Sequence, residues 1–175
     1  MTLFVPLKKL GLFYGVIALI SFLWIKTASL PVQFFGLKGL LPALFISILV
    51  FLISTSVSNT YGWAKKLEQL FIDALSPLSL ETIIIIAITS SIGEEFLFRG
   101  VIQAYLGLTF TSLLFGIVHF PINERLLPWT IMATLMGFVL GGLYAYSGHL
   151  LAPILLHFLI NLLNLWMLWQ KNITS

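Results

Sequence analysis

The fold of this chain is decided by residues 83–106, which read IIIIAITSSIGEEFLFRGVIQAYL. The stretch is long and apolar enough to cross a bilayer, yet it carries Glu94, Glu95 and Arg99 within six positions. Ionised side chains at membrane depth are costly, so they usually pair with one another, face a wet cavity or take part in chemistry. These three charges therefore require an explanation.

The composition of the whole chain indicates a membrane protein. Of its 175 residues, 59% are hydrophobic and 9% are charged, and the mean hydropathy is +1.07. A soluble domain carries about 25% charged residues, so this chain has too few polar groups to cover a surface in water. We predict an all-α polytopic membrane protein that forms one integral domain. The net charge of +3 is attributed to membrane orientation rather than to nucleic-acid binding. Cysteine is absent from the sequence, which excludes disulfides and thiolate metal ligands.

Six apolar segments approach the roughly 20 residues that a transmembrane helix needs. The more polar segment between the second and third has apolar residues at helical spacing, which predicts a helix on the membrane surface. We therefore divide the chain into two N-terminal spans with this connector (1–79), a core of four spans (80–169) and a short tail (170–175). The six segments cover about residues 10–25, 40–57, 80–106, 109–120, 129–146 and 150–169.

The positions of lysine and arginine predict the orientation of the helices. With a cytoplasmic N-terminus, only Lys26 and Lys38 lie outside the cell. The positive-inside rule therefore favours a multi-pass cell-membrane protein whose N- and C-termini are both cytoplasmic. The basic residues placed inside are Lys8, Lys9, Lys65, Lys66, Arg125 and Lys171.

Glycine pairs spaced four residues apart predict close contacts between helices. Gly11 and Gly15 form one such pair in the first span, and Gly137 and Gly141 form another in the fifth. This small-xxx-small pattern lets helix backbones approach one another, so we expect both pairs at contacts within the bundle.

The three charges of the third span divide into a pair and a free carboxylate. Glu95 and Arg99 are four residues apart and share a helix face, with the glutamate on the N-terminal side. They are predicted to form a structural ion pair. Glu94 lies about 100° around the helix from Glu95, so it points elsewhere and has no partner on its own helix.

Two other spans carry polar side chains that could meet Glu94. His119 ends the fourth span, and His157 and Asn161 share a face of the sixth. Such a set could hydrolyse an amide, with Glu94 as general base, His119 holding the same water, and His157 and Asn161 binding the oxyanion. Glu94, His119 and His157 could instead bind a divalent metal such as zinc. No acidic partner is visible beside the histidines, although metal-bound histidines usually have a carboxylate or carbonyl partner. We therefore favour water activation without a tightly held metal.

Three motifs occur in order within the apolar spans: Glu-Glu-x-x-x-Arg at 94–99, Phe-x-x-x-His at 115–119 and His-x-x-x-Asn at 157–161. Together they resemble the CPBP intramembrane protease family, over about residues 80–169. That family includes the type II CAAX prenyl endopeptidases and bacterial bacteriocin-processing and immunity relatives.

The resemblance implies an endopeptidase that hydrolyses a peptide bond in a peptide or membrane-protein substrate, including a lipidated one. It implies that Glu94 and His119 activate water and that His157 and Asn161 form the oxyanion site. It also implies that the ion pair at 95 and 99 stabilises the helix arrangement. Only two spans precede the core. This difference weakens the inference of a CAAX substrate from the resemblance.

Two non-enzymatic functions are also compatible with these residues. A membrane immunity or regulatory protein could bind a peptide in the same cavity, but it would have no need of His157 and Asn161 as oxyanion donors, and it would keep its function in Glu94→Gln. A proton-coupled carrier could use the glutamates as a relay. Such carriers are often built from inverted repeats, and the glutamate motif occurs once in this sequence.

Overall fold

The computed structural model describes residues 7–75, 78–120 and 127–174. Arg125, one of the predicted cytoplasmic charges, lies outside these residues. The prediction of an all-α polytopic membrane protein is confirmed, since five helical stretches in the described part are long and apolar enough to cross a membrane. The elements are α1 (Leu7–Thr27), α2 (Leu40–Thr60), α3 (Gly62–Leu75), α4 (Leu80–Glu95), a π-helix (Phe96–Ile102), α5 (Gln103–Val118), α6 (Leu127–Ser147) and α7 (Leu151–Thr174).

The predicted count of six spans is corrected at Gly107. The third and fourth predicted spans form one helical run of 39 residues, Leu80–Val118, interrupted where Gly107 takes φ 69° and ψ 177°. His119 Nε2 lies 3.8 Å from Glu94 Oε2, although 25 residues of straight helix would separate them by about 37 Å. The chain therefore reverses at Gly107, where a residue without Cβ takes a positive φ at little cost. The arm that returns from this turn is too short to span a membrane alone.

Helix α4 begins as its sequence indicates. The Ser79 side chain accepts a hydrogen bond of 3.1 Å from the backbone N–H of Thr82, an N-cap that satisfies one of the free donors of the first turn. The acidic Glu81 lies in the same turn, where it complements the positive end of the helix dipole. These local signals start the helix that carries both glutamates of the site.

Helix α3 has two faces, as predicted for the polar connector. Its buried side includes Leu67 and Ile72, whereas Lys65 is exposed. The helix is fastened to the end of α7 because Lys171 Nζ lies 2.9 Å from the Glu68 carboxylate. The connector therefore packs against the bundle as well as presenting a polar surface.

Helices α5 and α6 touch backbone to backbone. A Cβ added at Gly137 would lie 2.9 Å from the Ser112 carbonyl oxygen, and one added at Gly116 would overlap Thr134. These contacts pair Ser112 with Gly137 and Gly116 with Thr134, so a later residue of α5 meets an earlier residue of α6. The two helices therefore run antiparallel. The close contact expected at the glycine pair of the fifth span is present.

The pair in the first span does not make the expected contact. A Cβ at Gly15 would meet nothing within 4 Å, and one at Gly11 would make an ordinary contact of 3.8 Å with Ile85. The close approach of α1 to α4 occurs instead at Gly93, whose added Cβ would lie 2.8 Å from the Tyr14 carbonyl oxygen. The contact depends on which glycine faces the neighbouring helix, and four-residue spacing does not specify that.

Candidate active site

The two glutamates end α4 at the point where the helix changes its hydrogen-bond pattern. Residues Phe96–Ile102 form a π-helix, which includes Arg99 and ends where the Gln103 N–H donates to the Phe98 carbonyl five residues earlier. π-Helical turns are rare and often occur at functional sites. The apolar pattern predicts a regular α-helix here, and no residue pattern in the stretch distinguishes an α-helix from a π-helix.

Glu95 is fully buried and holds two partners. Its carboxylate lies 3.2 Å from Arg99 Nε, and Arg99 Nη1 donates to it at 3.3 Å. The second partner is His157, whose Nδ1 lies 2.8 Å from Glu95 Oε1. Because an ionised carboxylate only accepts hydrogen bonds, this ring nitrogen is the donor. The expectation that the histidines have no acidic partner is therefore wrong for His157.

Helix α6 supplies carbonyl groups to the same cluster. Arg99 Nη2 donates to the Gly137 carbonyl at 3.1 Å, and one turn further along each helix Gln103 Nε2 donates to the Gly141 carbonyl, also at 3.1 Å. Glycines expose these carbonyls because no Cβ covers them. A buried ion pair is tolerated when further hydrogen bonds satisfy its remaining groups. The two terminal nitrogens of Arg99 each have an acceptor, whereas Nε lies 3.2 Å from Glu95 Oε2 without forming a hydrogen bond to any described residue. Gln103 had not been singled out from the sequence.

His119 is held at the C-terminal end of α5. Its Nδ1 lies 2.6 Å from the Phe115 carbonyl oxygen, one of the last carbonyls of the helix that have no partner within it. A carbonyl oxygen only accepts hydrogen bonds, so Nδ1 carries the proton in this contact. In the neutral ring Nε2 then carries no proton. The ring also packs edge-on against Trp129, with 5.9 Å between the ring centroids.

Glu94 is the point at which the two imidazoles converge. Its Oε2 lies 3.8 Å from His119 Nε2 and 4.0 Å from His157 Nε2. This oxygen is buried and receives no hydrogen bond from the described residues. The distances are too long for direct hydrogen bonds but match polar groups that share one water. Tyr14 of α1 packs against Gly93, the neighbour of Glu94, since a Cβ added at Gly93 would lie 3.3 Å from the Tyr14 Cβ and Cδ1. This contact had not been foreseen.

Asn161 lies one turn beyond His157 on α7 and is tied to α4. Its Nδ2 donates to Ser90 Oγ at 3.0 Å, and Ser90 is one turn before Glu94 on the same helix. The amide is therefore anchored beside the acid, and it has a second N–H to donate. The structure thus places the side chains predicted for the site on the facing sides of α4, α5 and α7.

The donors considered for a metal do not have the spacing of a zinc site. Tetrahedral zinc with bonds of about 2.0–2.1 Å sets its ligand atoms roughly 3.3 Å apart. The distances from Glu94 to His119 and His157, 3.8 and 4.0 Å, are longer. Within residues 7–75, 78–120 and 127–174, no group of three His, Cys, Asp or Glu side chains is arranged to hold a metal ion. The arrangement of these side chains therefore does not fit a zinc ion.

Apolar helices that bury a carboxylate against two imidazoles define an all-α membrane protein with an intramembrane carboxylate–imidazole site. The model of one protein family, described as Type II CAAX prenyl endopeptidase Rce1-like, matches residues 76–163. The chain belongs to this Rce1-like family, which confirms the resemblance drawn from the three motifs. All three motifs lie within the matched residues.

One curated relative is similar to about half of the chain. The sequence is 38% identical over 86 residues to "Uncharacterized protein YpbD" of Bacillus subtilis (strain 168). The alignment covers 49% of this chain and 45% of that protein, so the chain spans about half the length of the relative it matches. No solved structure matches.

Proposed function

We propose that this chain is an intramembrane endopeptidase in which Glu94 and His119 activate a water molecule. The observation that carries the proposal is the convergence of both imidazole Nε2 atoms, at 3.8 and 4.0 Å, on one buried oxygen of Glu94 that accepts no hydrogen bond from the described residues. A general base must be within hydrogen-bond reach of the proton it takes, directly or through one water. This site meets that requirement for a water between the carboxylate and His119.

The orientation of His119 supports different roles for the two protons of the water. Since Nδ1 donates to the Phe115 carbonyl, neutral His119 offers Nε2 as an acceptor. The water donates one proton to Nε2 and the other to Glu94, and its lone pair faces the scissile carbonyl. Glu94 accepts its proton as the oxygen attacks and delivers it to the leaving amine. General base catalysis of this kind contributes roughly 10²–10⁴-fold in rate.

His157 and Asn161 are proposed to stabilise the oxyanion. Glu95 holds His157 through Nδ1, so the imidazolium form presents Nε2–H to the reacting carbonyl. Asn161 uses one N–H on Ser90 and offers the other. Oxyanion donors of this kind are worth roughly 3–4 kcal/mol each. Glu95 and Arg99 then act through His157, by fixing its ring, rather than on the substrate.

The substrate is proposed to be a peptide or membrane protein that reaches the site within the bilayer. The family match makes a CAAX-type, prenylated peptide the first substrate to test. With cytoplasmic termini, as the lysine and arginine positions favour, α3 and the start of α6 face the cytoplasm, where such a substrate would be presented.

Comparison of membrane proteins from cells that carry three variants tests the proposal. Peptide N-termini are enriched and quantified for the unmodified protein, Glu94→Gln and the control Glu81→Gln, which alters an exposed glutamate of the same helix. A new N-terminus should appear with the unmodified protein and Glu81→Gln, and fall by at least about 100-fold with Glu94→Gln. Retention of function by Glu94→Gln would favour the peptide-binding immunity or regulatory protein.

A further inference from the structure

The start of α6 holds His119 at both its backbone and its ring. Thr130 Oγ1 donates a hydrogen bond of 3.1 Å to the His119 carbonyl oxygen. Trp129, the preceding residue, makes an edge-to-face contact with the imidazole, with 5.9 Å between the ring centroids and 64° between the ring planes. The hydrogen bond ties α6 to the end of α5, and the indole then lies where it can restrict rotation of the imidazole.

The orientation of this imidazole matters because only one arrangement serves the proposed chemistry. Nδ1 is bonded to the Phe115 carbonyl at 2.6 Å, and Nε2 is directed at Glu94. Half a turn of the ring would put carbon atoms at both places and remove both contacts. The Phe115 ring packs on the imidazole with 4.5 Å between the centroids, but the His119 side chain is still 20% exposed. A contact from a second helix therefore adds to the restraint.

Trp129 is itself supported by α3. The Phe71 ring meets the indole edge to face, with 5.0 Å between the centroids and 69° between the planes. Phe71 packs in turn against a buried cluster that includes Ile72 of α3 and Leu168 of α7, so its position is fixed by two helices. Phe71 lies outside the family-matched residues 76–163, and Trp129 lies within them but in none of the three motifs.

We infer that Trp129 is a positioning residue for His119, and that Phe71 supports it from α3. The indole holds the imidazole in the orientation in which Nδ1 donates to Phe115 and Nε2 is directed at Glu94. The connector helix thereby contributes to the geometry of the core. The effect on catalysis rests on the proposed function, whereas the orientation of the ring can be measured without a substrate.

The surroundings of Trp129 differ from those of a membrane anchor. Indoles favour the membrane–water interface, where one end of the ring is in water. Trp63 of α3, which is 43% exposed, has the exposure expected of such an anchor. Trp129 is half-buried and has an aromatic partner on each of two other helical segments, Phe71 on α3 and His119 at the end of α5.

The test compares Trp129→Leu, Trp129→Phe and Phe71→Leu with the control Trp63→Leu in the purified full chain. Trp63 is a matched control because it lies on the same helix as Phe71, about 12 Å earlier, and contacts the ring of Tyr61. Nitrogen NMR of the imidazoles at alkaline pH shows which ring nitrogen carries the proton. The His119 signals are assigned by their loss in His119→Gln, and thermal unfolding checks that each variant is folded.

His119 should carry its proton on Nδ1 in the unmodified protein, Trp63→Leu and Trp129→Phe. It should show a mixture of proton positions in Trp129→Leu and, to a smaller extent, in Phe71→Leu. On the substrate found for the unmodified protein, kcat should fall roughly 2- to 10-fold in Trp129→Leu with KM unchanged, because the loss of one aromatic contact changes a population ratio by about that factor.

Unchanged His119 signals in folded Trp129→Leu would overturn the inference even if the protein is a protease. If Trp129→Leu does not fold, Phe71→Leu decides in the same way, since mixed signals support the inference and unchanged signals refute it. Mixed signals in a protein without peptidase activity would support the restraint on the ring and refute the proposed function. Mixed signals with unchanged kcat, or a rise in kcat/KM, would refute the catalytic role, and the rise would indicate that the two rings cover the site.

Discussion

Glu95→Gln should destabilise the protein by far more than a typical surface substitution. The Glu95 and Arg99 side chains are both 0% exposed and lie 3.2 Å apart, and the change keeps the shape of the side chain while removing its charge. It strands the guanidinium in the bundle, which costs roughly 3–5 kcal/mol when a buried pair loses one partner. It also weakens the acceptor for His157 Nδ1, at 2.8 Å. For a chain of this length, each kcal/mol shifts the midpoint of thermal unfolding by about 2–4 °C. The expected loss is therefore about 6–20 °C.

Thermal unfolding of the detergent-purified protein measures this loss, with Glu68→Gln as the control. Glu68 also pairs with a cation, Lys171, but the lysine is 37% exposed, and exposed pairs contribute about 0–1 kcal/mol. The control should therefore lower the midpoint by only about 0–4 °C. If Glu95→Gln unfolds within 2 °C of the unmodified protein, or no lower than Glu68→Gln, the view that burial makes this pair structurally essential is wrong. A stable but inactive Glu95→Gln would place its main role in holding His157.

Two further predictions follow from distances in the bundle. Gly137→Ala should cost roughly 1–3 kcal/mol by overpacking, since its Cβ would lie 2.9 and 3.0 Å from backbone atoms of Ser112. Gly142→Ala, whose Cβ would meet nothing within 4 Å, should stabilise α6 by roughly 0.5–1 kcal/mol, and thermal unfolding separates the two. Elemental analysis of purified protein should find no stoichiometric zinc, and zinc lost together with activity in His119→Ala would contradict water activation without a metal.

The features predicted from the sequence are those encoded within a single helix. Hydropathy located the spans, because a helix in lipid must be apolar over its length. The helical period paired Glu95 with Arg99 and separated Glu94 from both, since side chains four residues apart share a face. The boundary expected between residues 106 and 109 falls at Gly107, which has the positive φ of the turn.

The features that were missed depend on packing between helices. Glu95 and His157 are 62 residues apart, and no periodicity within either helix predicts that their side chains meet. The same holds for the close contact between Tyr14 of α1 and Gly93 of α4. The π-helix was missed for a different reason. It is a change of hydrogen-bond partner within an unbroken apolar helix, and such a change has no residue signature in this stretch.

The adjacent glutamates have different chemistry because their neighbours differ. Glu95 has a guanidinium within 3.2 Å and accepts hydrogen bonds at Oε1 from Arg99 Nη1 and His157 Nδ1, so its carboxylate is held in place. Glu94 has no cation at hydrogen-bonding distance among the described residues, and its nearest charged or titratable partners there are two imidazoles at 3.8 and 4.0 Å. Two carboxylates and one guanidinium leave the cluster one negative charge in excess, and a low-dielectric interior penalises that excess. One additional proton on His157, the form in which it is proposed to donate to the oxyanion, makes the cluster neutral while Glu94 keeps the lone pairs with which it is proposed to accept a proton from water.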